Sequence, residues 1–194
     1  PGCGGGARGG APLPPKRPQL AEYTIAVLPA GGAGTRLWPR SRRSTPKHVL
    51  PLGESGRPLL REAYDRASTL ASEVFVLTET VQRNIIRKVL PELDSAHLIL
   101  EPAARGTTNA YGLAALTLRE THPNAVMLVM PADHVVSGRA GVTKAVRAAV
   151  RAAATTDSLV TVGPKPRFPR SEEHTPALQA RRNLGVRCKL VKKK

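Results

Sequence analysis

A chain of 194 residues is long enough for one domain with a packed core and short for two. Its 41% hydrophobic and 23% charged residues exclude a disordered polymer, and no apolar run nears the roughly 20 residues of a membrane-spanning helix. The net charge of +16 invites a nucleic-acid reading, but three basic residues in 1–20 and a surplus of five in 172–194 leave only +8 for the body.

Residues 1–20 are Gly- and Pro-rich, without the apolar stretch of a signal peptide, and are expected to be a low-complexity arm or a misread. The chain opens on Pro1 rather than Met, so it is expected to be cut or mistranslated upstream, and the protein to be cytoplasmic. Cys3 and Cys188, both outside the body, support neither a disulfide framework nor a Cys-based metal site.

From residue 21 to about 170 apolar strands alternate with amphipathic helices. Thr24–Leu28 is a short apolar strand that stops at Pro29 and enters the glycine-rich run GGAGTR. Leu59–Leu70 carries apolar residues at helical spacing. Val74–Leu77 predicts a strand, and the stretch after Thr78 a helix through Ile85, Ile86, Val89 and Leu90 that Pro91 ends. Leu98–Leu100 predicts a strand, followed by a helix over Thr107–Arg119 with Thr107 or Thr108 as its cap. Val126–Met130 is wholly apolar, the pattern of a strand buried on both faces. A helix over Ala140–Ala153 and a strand from Leu159 to Val162 follow. This alternation predicts an α/β fold: an open, Rossmann-like, mostly parallel sheet with helices on both faces and ligands at the carboxyl ends of its strands.

The residues that carry chemistry fall at those ends. Gly31, Gly32 and Gly34 let the backbone turn tightly and bring N–H groups onto phosphate oxygens. Arg36 follows with a guanidinium fork, and Lys47 comes after Pro46 as a compact charge. A Walker loop is excluded, because Gly34-Thr35-Arg36 stands where Gly-Lys-Ser/Thr is needed. A dinucleotide fingerprint is excluded too: counting from Gly32, Leu37 stands where the third glycine belongs. The basic cluster of Arg36, Arg40, Arg42, Arg43 and Lys47 lacks the interleaved aromatics that stack bases, so a small polyphosphate is expected rather than nucleic acid.

Asp133, on the turn after VMLVM, suits a Mg²⁺ ion held against a triphosphate; an Asx-turn or helix cap is the alternative. Glu101 closes the LIL strand before Pro102. It is either an acceptor for the N1–H and N2–H₂ donors of guanine or an ordinary strand-end acid. Thr107, Thr108 and Asn109 could cap their helix and also face a nucleotide. His134 is either an orienting group beside the metal or a solvated turn histidine. His48, His97 and His122 are assigned surface or packing roles, and Lys144, Arg147 and Arg151 a solvated basic face.

The run from Leu28 to Lys47 resembles the signature of the sugar-1-phosphate nucleotidyltransferases, with glycines, Arg, Leu-x-Pro, Ser-Arg and Pro-Lys in order. Leu37-Trp38-Pro39 and Ser41-Arg42 are similar to the mannose-1-phosphate guanylyltransferases within it. Leu59–Arg66 looks like the helix after the signature, Glu101–Ala110 like the nucleotide-binding segment, and Met130–His134 like the metal-binding one. The resemblance implies transfer of GMP from GTP to mannose 1-phosphate, giving GDP-mannose and pyrophosphate, with Mg²⁺ as cofactor and no nucleic-acid or membrane partner. It implies catalytic roles for Arg36, Lys47 and Asp133, with Asp133 as metal ligand. Gly31, Gly32, Gly34, Thr35, Arg36, Glu101, Pro102, Thr107 and Asn109 are expected to bind the nucleotide. The alternatives are a relative using another base or sugar, and a non-catalytic homologue that binds nucleotide sugars.

After Arg170 the resemblance stops. Arg170–Gln179 reads like a translated sequencing adapter, so residues 171–194 are expected to be a non-native tail. The nucleotidyltransferase fold is then expected to be incomplete, without its sugar-binding strands and second metal carboxylate, and the fragment by itself is expected to be inactive.

Overall fold

The computed structural model describes residues 24–32, 37–103, 105–136, 138–156, 158–163 and 189–191. The 1–20 arm and most of the 171–194 segment lie outside these described residues.

Four strands form the parallel heart of the sheet: β1 (Thr24–Pro29), β2 (Glu73–Glu79), β3 (Leu98–Glu101) and β4 (Val126–Val129). The order is β3-β2-β1-β4, with β1 pairing both β2 and β4 in parallel (Ala26 opposite Val74 and Leu128). The helices are α1 (Leu59–Ser68), α2 (Arg83–Val89), α3 (Thr107–Thr121) and α4 (Arg139–Thr155). The expected open, mostly parallel sheet with helices on both faces is the one observed.

The alternation of side chains along each strand divides the core into two layers. Ala26, Leu28, Val74, Val76, Leu98, Val126 and Leu128 cluster with Leu60, Ala63 and Ala67 of α1, Ile86 of α2 and Val146, Ala149 and Val150 of α4. The intervening Ile25, Val27, Phe75, Leu77, Ile99, Met127 and Val129 cluster with Ala110, Ala114 and Leu118 of α3. Covered on both faces, β4 has no use for a polar residue, which explains its unbroken apolar run.

Two expectations shift at element ends. The helix expected after Thr78 starts later, because β2 runs to Glu79 and a 3-10 turn (Thr80–Gln82) intervenes before α2. The cap of α3 is Gly106 rather than Thr107 or Thr108, since Thr107 is already helical and no side chain caps the end. Gly106 takes φ +89°, which a β-carbon would oppose, and its carbonyl accepts the Ala110 N–H at 3.2 Å.

Beyond β4 lie two short antiparallel strands, β5 (Val160–Thr161) and β6 (Lys189–Val191), in the order β4-β6-β5. The segment expected to stand outside the fold thus contributes one strand along the edge of β4, where unpaired N–H and C=O groups accept any extended chain. At the amino ends of the strands, Glu73 receives two imidazoles, His97 Nε2 at 3.1 Å and His122 Nε2 at 3.0 Å. Both rings pack near Phe75, the packing role expected of them.

Candidate active site

The carboxyl ends of β1, β3 and β4 open on a cleft of about 410 Å³. Backbone bonds carry the sheet ladder past the strand ends into its floor: Ala30 N–H donates to Leu77 O at 2.7 Å, and Met130 N–H to Val27 O at 3.0 Å. Thr78, fully buried, donates its hydroxyl to Ala30 O at 2.9 Å and fixes where the glycine turn begins. Gly31 and Gly32 then line the cleft, Gly32 at φ +100°. A β-carbon on Gly31 would lie 3.8 Å from Glu101 Oε2, so this turn and the end of β3 face one another closely.

Lys47 begins a 3-10 turn (Lys47–Val49) entered from Pro46. Asp133 follows Pro131 and the buried Ala132 after β4. The two meet across the cleft, with Lys47 Nζ 3.0 Å from Asp133 Oδ2 and side chains 30% and 42% exposed. Gly106, Thr107, Ala110 and Tyr111 bring the amino end of α3 to the opposite wall, where it offers N–H groups and a positive dipole end to an anion.

Of the residues singled out from sequence, Gly31, Gly32, Lys47, Glu101, Thr107 and Asp133 line this one cleft. Gly34, Thr35 and Arg36 lie outside the described residues. Pro102 and Asn109 are exposed and do not line it; the Asn109 amide donates to Arg105 O at 2.7 Å and ties down the loop before α3. His48, assigned to the surface or to packing, is buried at 3% exposed, and beyond that expectation it also lines the cleft. Its signal in the sequence is its place, directly after Lys47 and before the apolar Val49 and Leu50. Tyr111 escapes sequence reasoning, because nothing in an apolar helix announces a cleft, whereas Gly106 falls within the segment likened to a nucleotide-binding one.

The electrostatics of the cleft follow from burial. Desolvation pushes the His48 imidazole down to about 4, with the Asp133 carboxylate opposing. Desolvation lowers His134 too; Asp133 opposes, while Lys47 and Arg66 reinforce the shift. A neutral His134, with Nε2 3.6 Å from Asp133 Oδ1, makes neither an ion pair nor a hydrogen bond. Glu101, 8% exposed, is pushed above the usual carboxylate range by burial and then by Glu79.

Among the described residues no group of three or more His, Cys, Asp or Glu side chains could hold a metal ion. That rules out a closed protein cage of such ligands there. It leaves the donor set that Mg²⁺ uses with phosphates, a single carboxylate with remaining positions for water and phosphate oxygens, and Asp133 fits it.

The family profile described as nucleotidyl transferase matches residues 25–172. The chain is 37% identical to a mannose-1-phosphate guanylyltransferase of Escherichia coli over 155 residues, which is 77% of this chain and 33% of that protein. It is 38% identical to the mannose-1-phosphate guanylyltransferase RfbM of Salmonella typhimurium over 144 residues, 72% of this chain and 30% of that one. The chain thus spans about a third of the length of these curated relatives. A solved structure described as mannose-1-phosphate geranyltransferase from Thermus thermophilus superimposes with a TM-score of 0.67 at 34% identity, covering 77% of this chain and 44% of that one.

Proposed function

Because the chain belongs to the nucleotidyl transferase family, we propose that its cleft holds the nucleotide in the transfer of GMP from GTP to mannose 1-phosphate, which releases pyrophosphate and forms GDP-mannose. The observation that carries this reading is the Lys47–Asp133 pair beside Gly31 and Gly32, a cation from the 3-10 turn after the glycine run facing a carboxylate that follows β4. The relatives named as mannose-1-phosphate guanylyltransferases support the choice of base and sugar. The body from 21 to 170 is the unit assigned to this chemistry, in the cytoplasm where both substrates are available.

The attacking group is an oxygen of mannose 1-phosphate, already ionised at neutral pH, so the site needs no general base. The new P–O bond forms at the α-phosphorus of GTP while the bond to the β-phosphate breaks, and the electron pair leaves with pyrophosphate. Catalysis is then alignment and neutralisation of charge. Gly31 and Gly32 amides, with Gly34, Thr35 and Arg36 next in sequence, are assigned to the triphosphate. Lys47 is assigned to the phosphates around the reacting centre. Asp133 is the residue that would hold Mg²⁺, which when bound neutralises phosphate oxygens. Glu101 is assigned to guanine N1–H and N2–H₂, with Thr107 beside it on the cleft wall, while Pro102 and Asn109 stand outside the cleft and receive no contact.

The test is side-by-side calorimetric titration of the chain with GTP, ATP, UTP and dTTP, with and without Mg²⁺. Pyrophosphate release from GTP and mannose 1-phosphate is assayed alongside. Preferential, Mg²⁺-assisted GTP binding supports the reading; a preference for another base, or indifference to the metal, overturns it.

A further inference from the structure

His48 is buried at the wall of the cleft, and its Nε2 has no hydrogen-bond partner among the described residues. A buried ring nitrogen without a partner has lost water and gained nothing in exchange. Packing alone does not call for a ring nitrogen here. Val49 and Leu50 follow it with apolar side chains, and a leucine or methionine at position 48 would fill similar space with no nitrogen to satisfy. A polar atom kept at such a cost, in a cleft where Lys47 and Asp133 already face each other, has a partner that arrives with the ligand.

We infer that His48 is a nucleotide-binding residue whose Nε2–H donates to a phosphate oxygen of the bound nucleoside triphosphate. The inference rests on the reading of the cleft as a nucleotide site and adds to it a contact and a tautomer. Phosphate oxygens at neutral pH only accept, so the ring nitrogen that meets them carries the proton. A neutral donor also suits this position, because Lys47 already supplies the cation nearby. His48 contributes direction without a second charge beside Asp133.

The structure sets a test in which stability and affinity move apart. In the full chain, His48→Leu removes the unsatisfied nitrogen, so its urea midpoint without ligand should equal or exceed that of the unaltered chain. Its Mg²⁺·GTP dissociation constant by calorimetry should rise about tenfold, the loss expected of one hydrogen bond to a charged acceptor. His48→Gln places an amide donor at similar reach and should recover affinity to within about threefold of the unaltered chain. GTP binding by His48→Leu as tight as that of the unaltered chain would overturn the inference and leave the nucleotide site standing. Should His48→Leu not fold, His48→Met against His48→Gln asks the same question, and equal GTP affinity of those two is the overturning result. If the unaltered chain binds none of GTP, ATP, UTP and dTTP, the nucleotide-site reading itself falls, and this inference with it.

Discussion

Lys47 and Asp133, 86 residues apart in the chain, meet with Nζ 3.0 Å from Oδ2. The contact joins the segment after the glycine turn to the end of the central strand β4. Both side chains are about a third exposed or more, so water screens the pair and its contribution to stability is at most about 1 kcal/mol. On the proposed function the pair gives way to stronger partners, phosphate oxygens for the ammonium and a metal ion for the carboxylate.

Lys47→Ala separates those two roles. Freed of its ammonium partner, Asp133 should bind Mn²⁺ or Mg²⁺ alone several-fold more tightly. GTP affinity should fall about tenfold or more through loss of the phosphate contact. Calorimetry with metal alone and then with GTP measures both; unchanged affinities would remove Lys47 from the site.

Asp133→Asn keeps the shape of the turn and removes the charge. The gain in GTP affinity that Mg²⁺ gives the unaltered chain, expected to be about tenfold, should disappear in the variant, while metal-free binding is retained. A variant that still responds to Mg²⁺ in a GTP titration would place the ion elsewhere.

Glu101→Gln tests the base. A glutamine offers one acceptor and a donor where guanine presents two donors, so GTP should lose about tenfold or more in affinity while ATP changes little. Equal losses for both nucleotides would mean that Glu101 supports the fold of the Gly31 turn instead, which its 3.8 Å approach to that turn permits.

How far the sequence discloses the site depends on how local each signal is. Strand periods, the glycine turn and the strand-end position of Asp133 are properties of short segments, and each is legible. The convergence of Lys47 on Asp133 is not local, because it depends on β1 lying between β2 and β4. Only family resemblance puts the two in one site. The cap of α3 is misread because threonine is a good cap by chemistry, whereas here the backbone at Gly106 decides. Packing is one of the two roles the sequence allows His48, but its place on the cleft wall is not legible, because that depends on tertiary structure.

The pH dependence of stability has a sign fixed by His48. Its folded-state value of about 4 lies below the ordinary 6.5, so between those values the unfolded chain takes up a proton that the folded chain refuses. Stability is full above pH 6.5 and falls as pH drops toward 4, by on the order of 3 kcal/mol from this group. Urea denaturation at steps from pH 7.5 to 4 should show that decline, and His48→Leu should flatten most of it. The lowered His134 acts in the same direction in both proteins and drops out of the difference.

Gly53 is a packing constraint rather than a hinge. A β-carbon there would stand 2.2 Å from the Glu62 carboxyl carbon, and that carboxylate accepts from Ser55 N–H at 2.9 Å and Ser55 Oγ at 2.5 Å. Gly53→Ala should displace Glu62 from both donors and cost about 1–3 kcal/mol in urea denaturation. A neutral result would show that the loop before α1 can shift without loss.

The pairing of β1 with β4, Thr24 opposite Val126, gives the cleft a late birth. On the ribosome the glycine turn and Lys47 emerge early, but the strand that carries Asp133 follows only after β2, α2, β3 and α3 have been made. Parallel partners so distant in the chain must close a long loop before either gains from the contact, and such closures are slow. A nascent chain halted before β4 therefore has its glycine turn and no opposing carboxylate. Ligand cannot template the early half, and it can act as a folding aid only once the last central strand is in place.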